Sequence, residues 1–176
     1  MDFAGRIQVY TGNGKGKTTA ALGLALRAAG RGMRTYVAQF MKKGEYGELL
    51  VVRERLADLI TIEQFGLPEF HHREKGVAPA EVAAAEAGLA AAASALAGGR
   101  FRIVVLDEIN TLLHFRIIAV EKVLELMDRK PAAVELVLTG RYAPRAVLAR
   151  ADLVSEMKEV RHYYAKGLQA RDGIER

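Results

Sequence analysis

The sequence predicts an α/β protein, a three-layer fold with helices on both faces of a mostly parallel sheet. Three observations predict it. Short apolar runs alternate with helical patterns along the whole chain. Some of these runs, such as residues 101–106, are almost continuously apolar, as strands buried on both faces are. The first run leads directly into a glycine-rich turn and then a long helical pattern, the strand–loop–helix order of a phosphate-binding unit.

The elements follow in order. Residues 6–10 read as the first strand and 18–31 as the helix after it, ended by Gly30 and Gly32. Residues 35–40 are a second strand, 47–57 a short helix, and 59–65 an alternating third strand. An irregular segment, 66–78, contains Pro68, Gly76, His71 and His72. Pro79 suits the first turn of an alanine-rich helix that runs to Ala97 and is stopped by Gly98-Gly99. After the strand at 101–106 come an amphipathic helix at 118–129, closed by Lys130-Pro131, and a buried strand at 134–139. A short helix at 144–150 and a last strand at 153–160 complete the pattern; residues 161–176 carry no clear assignment. No repeat or linker divides the chain, so one domain over 1–176 is expected.

Composition narrows the function. The 176 residues are 51% hydrophobic and 27% charged, as in a soluble globular protein. There is no cysteine, which excludes disulfides, thiolate metal sites and cysteine nucleophiles. No leader and no apolar run of membrane-spanning length is read, so a cytoplasmic protein without a membrane partner is expected. The net charge of +5 suits an anionic ligand. Its lysines and arginines are scattered, so nucleic acid is not the expected partner.

The turn itself is Thr11-Gly12-Asn13-Gly14-Lys15-Gly16-Lys17-Thr18-Thr19. Its glycines let successive N–H groups point inward at an anion, and the helix start adds unpaired donors. Lys17 places an ammonium on phosphate oxygens, and the Thr18 hydroxyl reaches a magnesium ion. The loop departs from the standard pattern, because the position of the first glycine is Thr11. Ligands of such sheets bind at the carboxyl ends of the strands. That rule places the loop, residues 41–48, residues 66–78 and the segment after Asp107 on one rim.

Asp107-Glu108 ends a buried strand, where a metal bound to phosphates sits; an acidic helix cap is the bland alternative. Arg141, after Thr139-Gly140, reads equally as a phosphate or ribose contact and as a surface ion pair. Arg27 reads as a surface residue by spacing alone. His71 and His72 lack partners at metal-ligand spacing and read as loop residues. Phe70, Tyr46 and Phe115 offer apolar contact for a large substrate, although isolated aromatics more often pack locally.

Taken together these motifs resemble the CobA-type corrinoid adenosyltransferases. The shared features are the shortened loop, Val37-Ala38-Gln39-Phe40 with Lys42 and Lys43, Val105-Leu106-Asp107-Glu108, and Leu138-Thr139-Gly140-Arg141. Residues 151–157 and 166–175 fit as well; the weakest match is 44–100. The resemblance implies a RecA-like P-loop fold, usually dimeric, that does not hydrolyse ATP. It implies transfer of the 5′-deoxyadenosyl group of ATP to the Co(I) of a reduced corrinoid, with triphosphate released. It assigns catalysis to Lys17, Thr18 and Glu108, and Mg²⁺ (or Mn²⁺) to Thr18, Glu108 and Asp107. ATP falls to residues 12–19 with Arg27 and Arg141, and the corrinoid to Lys42, Leu67, Phe70 and His71. A flavoprotein reductant is implied as a partner.

Two departures stand out. Better-known members carry a helix before the first strand, and this chain begins almost at that strand, so a corrinoid that is either less enclosed or held by a partner is expected. Those members have Gly-Phe-x-Trp where this chain reads Gly66-Leu67-Pro68-Glu69, so the aromatic pair pressed on the corrin ring is replaced. The alternative reading is a RecA-like ATPase or nucleotide-gated nucleic-acid module, supported by Asp107-Glu108 and the basic charge. A small-molecule kinase lacks an arginine lid and a base for an acceptor hydroxyl.

Overall fold

The computed structural model describes residues 4–67 and 76–176. The expectations for Pro68, Glu69, Phe70, His71 and His72 lie outside the described residues. The described chain forms β1 (Ile7–Thr11), α1 (Lys17–Ala29), β2 (Thr35–Phe40), α2 (Gly47–Val51), β3 (Ile60–Phe65) and α3 (Pro79–Ala97). It continues through β4 (Ile103–Asp107), α4 (Ile109–His114), α5 (Val120–Asp128), β5 (Glu135–Thr139), α6 (Arg145–Leu148) and β6 (Leu153–Glu156). A 3₁₀ turn at Tyr163–Lys166 lies in the tail.

The six described strands form one sheet in the order β3-β2-β4-β5-β1-β6, and every pairing is parallel. This is the expected α/β fold. Strand alternation divides its core in two. Val37, Val105 and Val137 stand in register across β2, β4 and β5 and pack with Ala21, Ala25 and Ala28 of α1. Their neighbours Ala38, Leu106 and Leu138 point the other way, into a larger cluster with α3, α4 and α5. The apolar runs are continuous because both faces are covered.

Three expectations need correction. α4 was read only as the segment after Asp107. Ile109 to Leu113 are all buried, so the helix shows no apolar–polar period to detect. The last strand was expected to reach residue 160, but β6 stops at Glu156. Its partner β1 ends at Thr11, and beyond that point residue 157 pairs with the glycine loop instead. Finally, α3 is long and apolar enough to cross a membrane by length and composition, with 19 residues of mean hydropathy 1.3. Alanine raises that average without building a lipid-facing surface, and the helix lies on the sheet through Ala85, Leu89, Ala92 and Leu96.

Gly88 is where α3 lies closest to the sheet. A Cβ there would fall 2.6 Å from Phe40 and 2.7 Å from Phe65. Phe40 is fully buried and cannot swing aside. Gly88→Val is therefore expected to destabilise the fold by about 2 kcal/mol or more, an overpacking cost that valine's weak helix propensity does not offset. Chemical denaturation tests this; an unchanged midpoint would show that α3 lies further out.

Candidate active site

The site is built at the carboxyl ends of β1, β4 and β5. β1 delivers the loop, which curls into α1 at Gly16, whose φ of 123° is open to glycine and strained for other residues. No acidic side chain occupies the first turn of α1, so its N-terminal donors are left to an anion. Lys17 is 6% exposed and donates to the carbonyls of Gly12 and Gly14, both at 2.7 Å. Burial lowers its pKa first, and Arg141 adds to that; Glu108 and Asp107 oppose it. The ammonium is held by the carbonyls of the loop.

β4 delivers the acids. Asp107 is 1% exposed and fully engaged. Its Oδ1 accepts from the hydroxyls of Thr18 (2.8 Å) and Thr139 (2.7 Å), and its Oδ2 from Lys42 (2.7 Å). The bond from Thr18 turns that hydroxyl's lone pairs away from Asp107 and toward the cleft. Glu108 takes a left-handed backbone (φ 67°), the strained start that turns the chain from β4 into α4. Its N–H donates to Thr139 Oγ1 at 2.9 Å, and its carboxylate accepts from Thr111 at 2.7 Å. Thr111 Oγ1 in turn accepts from the Arg141 N–H at 3.1 Å. β5 lies between β1 and β4, so its last residue, Thr139, joins the loop side to the acidic side.

A cleft of about 440 Å³ results. It is lined by residues 14–19 of the loop, by Lys42, Glu48, Glu108 and Arg141, and on its far side by His162 and residues 173–176. The tail is tied across it. Lys15 donates to the carbonyl of Ile174 at 2.8 Å and pairs with Glu175 at 3.2 Å. Arg171 and the Tyr163 hydroxyl also bond to Glu175 and hold its carboxyl well below the usual range, Arg171 most strongly.

A family description, ATP:corrinoid adenosyltransferase BtuR/CobO/CobP, matches residues 4–176. The corrinoid adenosyltransferase of Pseudomonas aeruginosa is 35% identical over 175 residues, 99% of this chain and 85% of the relative. That of Escherichia coli K12 is 33% identical over 177 residues, 99% and 87% of the two chains. Corrinoid adenosyltransferase CobA of Salmonella typhimurium is 35% identical over 173 residues, 97% and 85%. The chain belongs to the corrinoid adenosyltransferase family.

In this adenosyltransferase-family chain most of the sequence-derived site residues converge. Gly14, Lys15, Gly16, Lys17, Thr18 and Thr19 line the cleft with Glu108 and Arg141, and Asp107 lies directly behind Thr18. Gly12 contributes its carbonyl to Lys17, while Asn13 is exposed at the tip of the loop. Arg27 does not line the cleft; it is exposed along α1, its charge acting on Tyr10. Leu67 lines a separate apolar pocket with Met41, Phe65, Leu112 and Ile117. Lys42, assigned to the corrinoid with it, adjoins Gly66 by its backbone but turns its side chain into the larger cleft toward Asp107. Phe70 and His71 lie outside the described residues.

Sequence reasoning missed Thr139 as the acceptor and donor that joins Asp107 to Glu108, Glu48 as a cleft carboxylate, and the tail as a wall. The signal for Thr139 was its place at the carboxyl end of a buried strand, where a polar residue has no packing role. Glu48 takes a hydrogen bond at 2.9 Å from the fully buried Gln39, whose position inside β2 was the corresponding sign.

For a metal, no group of three or more His, Asp or Glu stands together among the described residues. The oxygen donors Thr18, Asp107 and Glu108 nevertheless suit a magnesium ion that takes its other ligands from phosphate and water.

The loop is also held from outside. Gly14 N–H donates to the carbonyl of Met157 at 2.7 Å, and a Cβ at Gly14 would lie 2.8 Å from the backbone oxygens of Met157 and Lys158. Gly14→Ala is expected to push the loop off residues 157 and 158 and weaken ATP binding about tenfold or more, because a misplaced cradle loses several N–H contacts. Calorimetric ATP titration reads this; unchanged affinity would show that the loop moves freely.

Proposed function

We propose that the protein transfers the 5′-deoxyadenosyl group of ATP to the Co(I) of a reduced corrinoid and releases inorganic triphosphate. The electron pair on cobalt forms the Co–C bond; the C5′–O bond breaks and its electrons leave on the triphosphate. Cobalt supplies the nucleophile, so no side-chain nucleophile is required. The protein positions the carbon and stabilises the charge that grows on the departing oxygen. One observation carries this reading. In a chain matched to the family over residues 4–176, cationic Lys17, Lys42 and Arg141 surround a cleft whose loop and helix start present N–H donors.

In this reading each residue has a role. Lys17 leaves the two carbonyls it now holds and meets phosphate oxygens. Thr18, whose hydroxyl donates a hydrogen bond to Asp107, would hold magnesium together with Glu108. Magnesium, when bound, neutralises phosphate charge. Arg141, fixed at its backbone by Thr111, adds a second cation from the β5 side. The apolar pocket around Leu67 borders the same rim and offers contact to a large organic ring.

Incubating the protein with ATP, Mg²⁺ and chemically reduced cobalamin tests the proposal. A light-sensitive alkylcobalamin spectrum and stoichiometric triphosphate are expected. ADP and phosphate as the products would replace this reading with the ATPase one.

A further inference from the structure

We infer that Lys42 is a cation of the triphosphate site: it holds the metal position while the cleft is empty and moves onto the departing triphosphate when magnesium enters. The inference deepens the adenosyl-transfer reading above and rests on it. Four observations lead to it.

The Lys42 ammonium lies 2.7 Å from Asp107 Oδ2 and 3.4 Å from Thr18 Oγ1. Those are two of the three oxygens best suited to a magnesium ion, so the ammonium stands where a cation is wanted. Carboxylates surround it: besides Asp107, both Glu48 and Glu108 line the same cleft. Its backbone is anchored on the corrinoid side. Met41 N–H donates to the Phe65 carbonyl at 3.2 Å, and a Cβ at Gly66 would lie 2.5 Å from Lys42 N. The anchor fixes where the side chain starts, and the flexible stem leaves its tip free to move within the cleft. Finally, Lys42 lines the same cleft as Lys17 and Arg141.

Two cations cannot share one carboxylate oxygen and one hydroxyl. A divalent ion taking up Thr18 Oγ1 would lie within a few ångströms of the ammonium and repel it. The triphosphate, which carries the negative charge, is the destination within reach. Its charge also rises by one, on the oxygen that leaves C5′, when the C5′–O bond breaks, so an ammonium placed beside that oxygen helps more in the transition state than before it. The exchange makes metal binding depend on phosphate. In the empty site Lys42 blocks the ion; with phosphate present it has somewhere better to go.

Calorimetry with Mn²⁺ and with inorganic tripolyphosphate tests this on the intact chain, without corrinoid or turnover. For the wild type, Mn²⁺ alone is expected to bind at least tenfold more weakly than Mn²⁺ with tripolyphosphate. Lys42→Met is expected to bind Mn²⁺ alone at least tenfold more tightly than the wild type, and tripolyphosphate about tenfold more weakly. Lys42→Arg is expected to recover most of the tripolyphosphate affinity. Equal Mn²⁺ affinity for the wild type with and without tripolyphosphate overturns the inference, and needs no variant to fold. So does a folded Lys42→Met protein with unchanged tripolyphosphate affinity, which removes Lys42 from the triphosphate site. Neither result bears on which product ATP yields, so the adenosyl-transfer reading stands or falls separately.

Discussion

Lys17→Met is expected to lower the adenosyl-transfer rate by about a thousandfold, the upper range for losing one preorganised charge-stabilising group. Lys17 is the cation most closely built into the loop, with both of its present partners being loop carbonyls. Lys17 as a residue is only 6% exposed, so little reorganisation is needed when phosphate replaces the carbonyls. Methionine keeps the length and apolar stem and removes only the charge. The fold should therefore survive, at the cost of the two hydrogen bonds to the carbonyls of Gly12 and Gly14. Single-turnover kinetics at saturating ATP, set beside the melting temperature, separate the two effects. A rate within about threefold of wild type would show that Lys17 only organises the empty loop.

The second large effect is expected at Asp107. Asp107→Ala leaves Lys42 without its closest partner and takes the acceptor from Thr18 and Thr139 at once. Breaking a buried pair in this way costs about 3–5 kcal/mol. Lys42 retains some solvent, with its side chain 17% exposed, so the lower end, about 3 kcal/mol, is expected. For a chain of this size that is a fall in melting temperature of about 6–12 °C. Activity should also fall, because nothing then turns the Thr18 hydroxyl. Asp107→Asn keeps an oxygen for Thr18 and Thr139 but not the charge for Lys42, and should lie between the two. A Asp107→Ala variant that melts within about 2 °C of wild type would show that the cluster contributes little to stability.

Much of this arrangement is legible along the chain because it is local. The glycines of the loop, Lys17 and Thr18 lie within one turn and one helix start, and their chemistry follows from spacing alone. Asp107 and Glu108 could be placed at the carboxyl end of β4 because the apolar run before them ends there. The strands were readable because burial on both faces leaves continuous apolar runs, with boundaries moved by one or two residues at most places. α4 was not readable, since a helix buried all round carries no period. β6 was read too long because its end is set by β1 and not by its own residues.

What the sequence determined by itself is the glycine-rich loop between strand and helix, the acidic strand end and the α/β class, since each depends on contacts between near neighbours. Only the tertiary structure decided that Thr139 joins Asp107 to Glu108, that the Lys42 side chain pairs with Asp107, and that the tail closes over Lys15. Those contacts span 32, 65 and 160 residues of chain. They follow from the order in which the strands line up, and strand order is settled by the packing of the whole sheet, which no local pattern of residues encodes.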